Sequence, residues 1–171
     1  MDERGRSDTR DHVGRILAQW AVERPDLDVS PMGVIGRLHR LAAVLEAELR
    51  PVFADAGLRD GDFDVLATLR RAGDPYELTP GELAATTMVT SGAVTKRVDR
   101  LIDQGLVERR VCADDARSRR IRLTAAGLAL VDDVVERHVA NEHRLVAGLS
   151  ALDRARLAEL LERWGRQLDG D

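Results

Sequence analysis

Residues 79–124 read TPGELAATTMVTSGAVTKRVDRLIDQGLVERRVCADDARSRRIRLT, and they begin with a strong helix start signal. Thr79 and Glu82 have the spacing of a capping box, in which each side chain bonds to the backbone of the other residue. Pro80 stands between them at the first helical position, where its missing N–H costs nothing. A short helix is therefore predicted over residues 80–86.

A second helix is predicted after a short connection around Met88. Its start signal is Thr90 or Ser91, either of which can cap a helix, and Gly105 supplies the stop. A helix, a short turn and a second helix form a helix-turn-helix unit. The second helix of such a unit lies in the DNA major groove, with its N-terminal residues toward the bases.

Two short strands are predicted directly after this helix. Val107 and Val111 alternate with charged residues, and Ile121 and Leu123 do the same beyond the polar tip ADDARS. A β-hairpin with a basic tip that follows a recognition helix is the wing of a winged helix-turn-helix.

Amphipathic helices are predicted on both sides of this unit from apolar spacings of three and four residues. The predicted spans and caps are residues 11–23, residues 32–55, a helix from Asp62 as N-cap to Gly73, a helix capped by Thr124 and a last helix capped by Ser150.

The two faces of the second helix differ in chemistry. At about 100° per residue, the apolar side chains fall within about 80° of Val94 and form a predicted buried face. This face holds Val94, Val98, Leu101 and Ile102. The opposite face holds Gly92, Lys96, Asp99 and Arg100, with the hydroxyls of Ser91 and Thr95 nearby. Taken alone it could be an ordinary solvated face, but the capped helix before it and the hairpin after it favour entry into a DNA groove.

Two arginines are predicted to point partly inward. Arg97 projects about 60° from Val94, at the edge of the buried face. Strand alternation places Arg109 on the same side as Val107 and Val111. Because an arginine held partly out of water needs a carboxylate or a bound anion, the pair indicates an anion site beside the second helix.

Charge is unevenly distributed along the chain. The 171 residues carry a net charge of −4, yet residues 96–122 contain nine basic and five acidic side chains. They include Lys96, the only lysine of the sequence. Phosphate binding requires a local stripe of cations, so the acidic total does not exclude a nucleic acid partner.

The composition argues against several classes of protein. With 44% hydrophobic residues and only five aromatic ones, the core is predicted to be aliphatic and helical, unlike that of an all-β sandwich. No apolar run approaches the roughly 20 residues that span a bilayer, and the N-terminus lacks the apolar core of a signal sequence. We therefore expect a cytoplasmic protein with no membrane partner.

Nothing in the sequence predicts a cofactor, a metal site or a catalytic site. The lone Cys112 excludes an intramolecular disulfide and has no partner in the chain for a redox switch. The four histidines lack metal-ligand spacing, and no phosphate-binding glycine loop or G-x-S-x-G motif occurs. An enzyme is therefore not expected. The alternative to DNA binding is a winged-helix module that binds another protein.

A resemblance to the MarR family of bacterial transcriptional regulators extends from about Met32 to the C-terminus. It is carried by LTPGELAATTMVTSGAVTKRVDRLIDQGLVERR and by DDARSRRIRLTAAG. The most specific part is the wing, where Asp115, Arg117, Ile121, Leu123 and Thr124 match the pattern D-x-R-x-x-x-[VI]-x-L-T. The resemblance implies that Arg117 enters the minor groove with Asp115 bracing it.

The same resemblance implies a repressor that binds a pseudo-palindromic operator in double-stranded DNA as a homodimer. The expected fold class is mainly α with a small β-hairpin wing. Its parts are an N-terminal extension with an amphipathic helix (1–31), a winged helix-turn-helix domain (57–124) and dimerisation helices (32–56 and 125–171). The residues expected to contact DNA are Thr90, Ser91, Gly92, Thr95, Lys96, Arg100, Asp115, Arg117 and Arg119.

Within the family, the sequence is similar to the urate-responsive branch, which builds its ligand site from tryptophan, aspartate and arginine. This implies a site for a small anionic effector, urate-like or a carboxylate such as citrate. The expected site residues are Trp20, Asp64, Arg97 and Arg109. An anion at Arg97 would disturb a link from Asp64 to the recognition helix. The alternative roles are packing for Trp20 and a favourable interaction with the helix dipole for Asp64.

Overall fold

The computed structural model describes residues 9–59, 61–87, 91–111 and 119–170, without the side chains of residues 91–93 and 111. The described chain forms two compact units, one up to Glu48 and one from Leu49. Within these ranges, none of the helices combines the length and the apolar character needed to cross a membrane.

Seven helices and three short strands make up the described residues. The helices are α1 (His12–Glu23), α2 (Ser30–Ala54), α3 (Asp62–Arg71), α4 (Pro80–Thr86), α5 (Ser91–Asp103), α6 (Ala125–Leu145) and α7 (Ala151–Asp169). The strands are β1 (Glu77–Leu78), β2 (Val107–Val111) and β3 (Arg119–Leu123). The predicted fold class, mainly α with a small β-hairpin wing, is confirmed.

In the N-terminal unit, α1 packs against the first part of α2. Val13 is buried, and a Cβ at Gly36 would meet its methyl groups at 3.3 and 3.4 Å. Asp11 caps α1 by accepting the Gly14 N–H at 2.7 Å. The same carboxylate accepts two hydrogen bonds from Arg37 of α2, at 2.7 and 2.9 Å, and these bonds hold the pKa of Asp11 below its usual value. The bidentate pair therefore fixes the start of α1 on α2.

The C-terminal unit has an aliphatic core. Its most deeply buried side chains come from α3, α4, α5, α6 and β2, and in the helices they recur every three or four residues. They are Val65, Leu66, Leu69, Leu83, Val98, Leu101, Val107, Val131 and Val134. Burial of this apolar surface holds α5 against α3 and the sheet.

The sheet is antiparallel, with the strand order β1-β3-β2. Strand β2 pairs with β3 from Val107 opposite Leu123 to Val111 opposite Arg119. These are the two strands predicted for the wing, whose tip lies outside the described residues. Strand β1 pairs with the other edge of β3. It was not predicted, because two residues are too few to show an alternation of apolar and polar side chains.

Thr124 joins the sheet to α6, in its predicted role as a cap. Its Oγ1 accepts the Gly127 N–H at 3.0 Å and donates to the carbonyl of Gly105 at 2.8 Å. A Cβ at Gly127 would overlap the carbonyl oxygen of Leu106, so only glycine fits there without a shift of the backbone. The end of β3, the turn after α5 and the first turn of α6 therefore meet at one point.

The start of α3 differs from the sequence prediction. The N-cap is Gly61 and not Asp62, so the predicted cap is wrong by one residue. Gly61 has a φ of 78°, in the left-handed region that favours glycine. Asp62 is the first helical residue, and its side chain is completely buried. It therefore points into the protein, where a carboxylate requires a partner.

Apolar side chains remain exposed on α2 and α7. No residue of α7 is buried, although its apolar residues recur at helical spacing. The exposed large apolar residues of α7 are Leu152, Leu157, Leu160, Leu161 and Leu168, and those of α2 are Met32, Val34, Ile35, Leu41 and Val44. On each helix, large apolar side chains exposed at helical spacing are typical of a surface that contacts a partner.

Candidate nucleic-acid interface

The predicted capping box is present at the start of α4. The Glu82 N–H donates to Thr79 Oγ1 at 3.2 Å, and the Thr79 N–H donates to Glu82 Oε2 at 2.8 Å. The bond from the Thr79 backbone is the main reason that the pKa of Glu82 lies below its usual value. Pro80 occupies the first helical position, as predicted. This end of α4 is therefore fixed by local hydrogen bonds.

Helix α5 has the buried face that the sequence predicted, and part of its predicted outer face is exposed. Val94, Val98 and Leu101 are buried in the core, whereas Thr95 and Lys96 are exposed. Thr95 and Lys96 lie close to the N-terminal end of the helix, which is the end that reaches base edges in a helix-turn-helix. A hydroxyl and a cation are thus available on the face turned away from the protein.

The other residues expected to contact DNA are only partly described. Ser91 and Gly92 are the first two residues of α5, but their side chains are not described. Arg119 opens β3 and is exposed. Three more, Thr90, Asp115 and Arg117, lie outside the described residues. Their contacts with DNA stay predictions from the sequence.

Arg100 is turned toward the protein. Its Nη2 atom bonds Oδ1 of Asp62, and its Nε donates to Oδ2 at 3.1 Å. The side chain of Asp62 is 0% exposed and that of Arg100 is 26% exposed. This bonding raises the pKa of Arg100. The guanidinium that the sequence assigned to the outer face of α5 is therefore engaged in an ion pair that the sequence did not reveal.

Arg97 lies at the edge of the buried face, as predicted. It is half-buried, and its Nη1 atom is shielded from solvent. Its guanidinium packs directly on Gly61, where any Cβ would overlap it. Arg97 and Arg100 are three residues apart on α5, so they lie on one side of the helix. Together they contact two consecutive residues, Gly61 and Asp62, at the start of α3.

Arg109 of β2 pairs with Asp99 of α5. Nη2 of Arg109 donates to Oδ1 of Asp99 at 2.5 Å, and the two side chains are 44% and 52% exposed. Arg109 also lines a small cavity of about 140 Å³ together with Thr95, Val98 and Ile121. Its stem therefore lies on the face of β2 that turns toward α5, while its guanidinium remains open to solvent.

A larger cavity of about 400 Å³ lies among the end of α2, α3 and α6. Its walls are mostly apolar. The rings of Phe53 and Phe63 are stacked with centroids 4.8 Å apart, and the ring of His138 lies 5.1 and 5.2 Å from them. Asp64 and Arg71 line the same cavity and place charged groups at it. An apolar cavity with a few charged groups is typical of sites for small aromatic ligands.

The four residues expected to form the ligand site are therefore found in different surroundings. Asp64 lines the 400 Å³ cavity, whose lining includes neither Arg97 nor Arg109. Trp20 belongs to the N-terminal unit, where it lies on α1 and is 39% exposed. Their joint role in binding a ligand stays a prediction.

Two residues of this region were missed by the sequence analysis. Asp62 was predicted only as an N-cap, and its role as the buried partner of Arg100 had no signal in the sequence. His138 did carry one: it continues the three- and four-residue spacing of Val131 and Val134 on the inner face of α6. Within the described ranges, no three His, Cys, Asp or Glu side chains are placed to hold a metal ion.

The chain matches known proteins in sequence. The model of the MarR family matches residues 56–118. The HTH-type transcriptional regulator PecS of Dickeya dadantii (strain 3937) is 41% identical over 156 residues, which cover 91% of this chain and 94% of PecS.

The chain also matches solved structures. A cysteine-to-serine mutant of Escherichia coli MarR in complex with operator DNA is 28% identical, with a TM-score of 0.67, and the match covers 80% of this chain and 98% of that one. BpsR of Bordetella bronchiseptica, whose DNA binding is regulated by 6-hydroxynicotinic acid, shares the fold at 24% identity with a TM-score of 0.67, covering 77% of this chain and 92% of BpsR.

Proposed function

The chain belongs to the MarR family of transcriptional regulators, and on that premise we propose that it is a homodimeric repressor released from its operator by a small anionic ligand. The observation that carries the proposal is the geometry of α5. This helix follows a capped helix, precedes the β2–β3 hairpin and presents Thr95 and Lys96 on its open face. That arrangement is what a helix needs to enter a major groove.

The contacts with DNA follow from this arrangement. Thr90, together with Ser91, Gly92, Thr95 and Lys96 of the first half of α5, supplies contacts with bases and phosphates. The wing supplies Arg117, braced by Asp115, and Arg119. Arg100 is set apart from this group, since its guanidinium pairs with Asp62. Phosphate contacts hold the protein on the duplex, and base contacts select the sequence.

The exposed apolar residues of α7 support the homodimer. Leu157, Leu160, Leu161 and Leu168 lie along one stripe of a helix that buries none of its residues within the single chain. Pairing of two such stripes removes them from water, which is the main favourable term in protein association. A two-fold symmetric dimer then presents two copies of α5 to half-sites about one helical turn apart.

The ligand is proposed to be a small planar anion. Arg97 and Arg109 supply guanidinium groups, which suit carboxylates and other planar oxyanions. Asp64 lines the 400 Å³ cavity, whose phenylalanine rings would contact a flat ring, whereas Arg97 and Arg109 are not part of that lining. A ligand at these residues changes DNA affinity only through the difference between its affinities for the DNA-bound and the free conformations.

The proposal is tested by titrating DNA upstream of the gene of this protein with the full chain, followed by fluorescence anisotropy. Urate, citrate and salicylate are added to the complex. 6-Hydroxynicotinic acid completes the panel because it regulates BpsR. We expect saturable binding of one dimer per site and release by at least one of these acids. Failure to bind the DNA at low salt would overturn the proposal and favour a winged-helix module that binds another protein.

A further inference from the structure

Asp62 is a buried carboxylate that accepts three hydrogen bonds from described residues. Its Oδ1 pairs with Nη2 of Arg100, and its Oδ2 accepts from Nε of Arg100 at 3.1 Å. The same Oδ2 accepts the backbone N–H of Arg59 at 3.0 Å. The carboxylate is thereby fixed to the turn before α3 on one side and to α5 on the other.

Stability alone is a weak reason for such a pair. Desolvation of two charges offsets most of their attraction, so a buried ion pair often contributes little more than apolar residues of the same volume. Two parallel hydrogen bonds between a guanidinium and a carboxylate do fix distance and direction, however. The apolar contacts of Val94, Val98 and Leu101 hold α5 on the core but are not directional.

The Asp62–Arg100 pair lies close to the part of α5 whose orientation matters for DNA recognition. Arg100 lies four residues after Lys96 on α5, about one helical turn away, and Lys96 is exposed. One turn of rigid backbone therefore joins the fixed guanidinium to the face proposed to read DNA. Arg97 packs on Gly61, next to Asp62, so α5 is seated on the start of α3 at two adjacent points.

We infer that Asp62 is a positioning residue for DNA recognition: its pair with Arg100 fixes the rotation and axial position of α5. Arg100 accordingly supports the recognition helix from the protein side and does not contact DNA. This inference rests on the proposed function and assigns a role within it to a residue that cannot itself reach DNA.

The decisive variant is Asp62→Asn. A positioning role predicts that its DNA affinity falls, whereas a purely electrostatic effect predicts that it rises. Removing a negative charge from a DNA-binding domain strengthens its attraction to phosphates. Loss of the bidentate pair leaves α5 less well oriented, and we expect affinity for the upstream DNA to fall about tenfold, which corresponds to about 1.4 kcal/mol. Affinity equal to or above that of the wild type would overturn the inference.

Asp132→Asn is the matched control. Asp132 of α6 also pairs with an arginine of α3, with Nε of Arg70 lying 2.7 Å from its Oδ1, and this pair does not involve α5. The variant removes one negative charge and one Arg–Asp pair from the same unit. We expect its DNA affinity to be unchanged or slightly higher. A pair that only stabilises the fold would lower the Tm in both variants and leave the affinity of the folded protein unchanged.

Arg100→Lys guards against loss of folding in Asp62→Asn, since it keeps the charge but cannot form two parallel hydrogen bonds. It is expected to fold, as measured by circular dichroism, and to lose about tenfold in affinity. The double variant Arg100→Gln, Asp62→Asn is expected to lose no more DNA affinity than either single variant. Each substitution alone already removes the Asp62–Arg100 pair. Additive losses of DNA affinity would show that Arg100 contacts DNA directly.

If the wild-type protein binds no DNA, the proposed function fails. If the wild type and all variants bind DNA with the same affinity, only this inference is contradicted.

Discussion

Arg109 donates to Asp99 at 2.5 Å, so a carboxylate of the protein itself occupies one of the two arginines proposed to bind an anionic ligand. The two residues join β2 to α5. Both side chains are about half exposed, and such a pair is worth no more than about 1 kcal/mol. An incoming anion would therefore compete with Asp99 for the guanidinium at little cost.

Asp99→Asn should make the protein more sensitive to the proposed anionic ligand. With the competing charge removed, we expect the ligand concentration for half-maximal release of DNA to fall about two- to fivefold, the range that corresponds to an exposed ion pair. Asp103→Asn removes the same charge from the same helix and controls for the general gain in DNA affinity. Equal sensitivity in the two variants would argue against Arg109 as a ligand residue.

Lys96→Ala should weaken DNA binding through loss of a phosphate contact. We expect the slope of log affinity against log salt concentration to decrease by about one, with a similar loss on specific and non-specific duplexes. Lys96→Arg keeps the charge and should retain most of the slope. An unchanged slope in Lys96→Ala would place this side chain away from the DNA backbone.

Leu161→Glu should convert the proposed dimer to a monomer. It places a charge within the apolar stripe of α7, where pairing would bury it without a partner. Light scattering after size-exclusion chromatography measures the mass directly. Arg166→Glu is the control on the opposite side of α7, where it disrupts only an exposed pair with Glu162. A dimer that survives Leu161→Glu would exclude this stripe as the interface.

Gly127→Ala should destabilise the C-terminal unit by at least about 2 kcal/mol, since the added methyl group would overlap the backbone of Leu106. Gly81→Ala is the same change in α4, where no described atom beyond the neighbouring residues and the backbone of the helix lies within 4 Å of the added Cβ. It should be neutral or stabilising by up to about 1 kcal/mol. Denaturant unfolding at matched protein concentration measures both, and similar stabilities would contradict the packing described for Gly127.

Acid should loosen the attachment of α1 to α2. The hydrogen bonds from Arg37 lower the pKa of Asp11. Their contribution is therefore complete above the ordinary carboxyl pKa of 3.8 and is lost as the pH falls through the lower folded value. Hydrogen exchange of α1 amides should be faster in Asp11→Asn than in wild type at neutral pH, and the difference should vanish in strong acid. A difference that persists at the lowest pH would exclude this carboxylate as its source.

Local signals allowed most of the fold to be predicted from the sequence. The capping box of Thr79 and Glu82 involves residues three apart, and the buried face of α5 follows from the spacing of Val94, Val98 and Leu101. Such features depend only on neighbours along the chain, so their pattern is visible before folding.

Contacts between residues that are distant along the chain could not be predicted from the sequence. Asp62 and Arg100 are 38 residues apart, and neither has a local feature that selects the other. The sequence placed Arg109 beside α5 but gave no reason to choose Asp99 as its partner. The two-residue strand β1 exists only because β3 pairs with it, so it has no pattern of its own.

The junction at Thr124 gives α6 a geometric relation to DNA recognition. Thr124 ties the first turn of α6 to the turn that ends α5, so the two helices share a pivot. With 21 residues, α6 is about 30 Å long at the usual helical rise. A tilt of about 5° around this pivot moves the far end of α6 by about 3 Å, given that length. Small angular changes at the DNA-binding end thus correspond to displacements as large as a hydrogen-bond length at the opposite end of the helix.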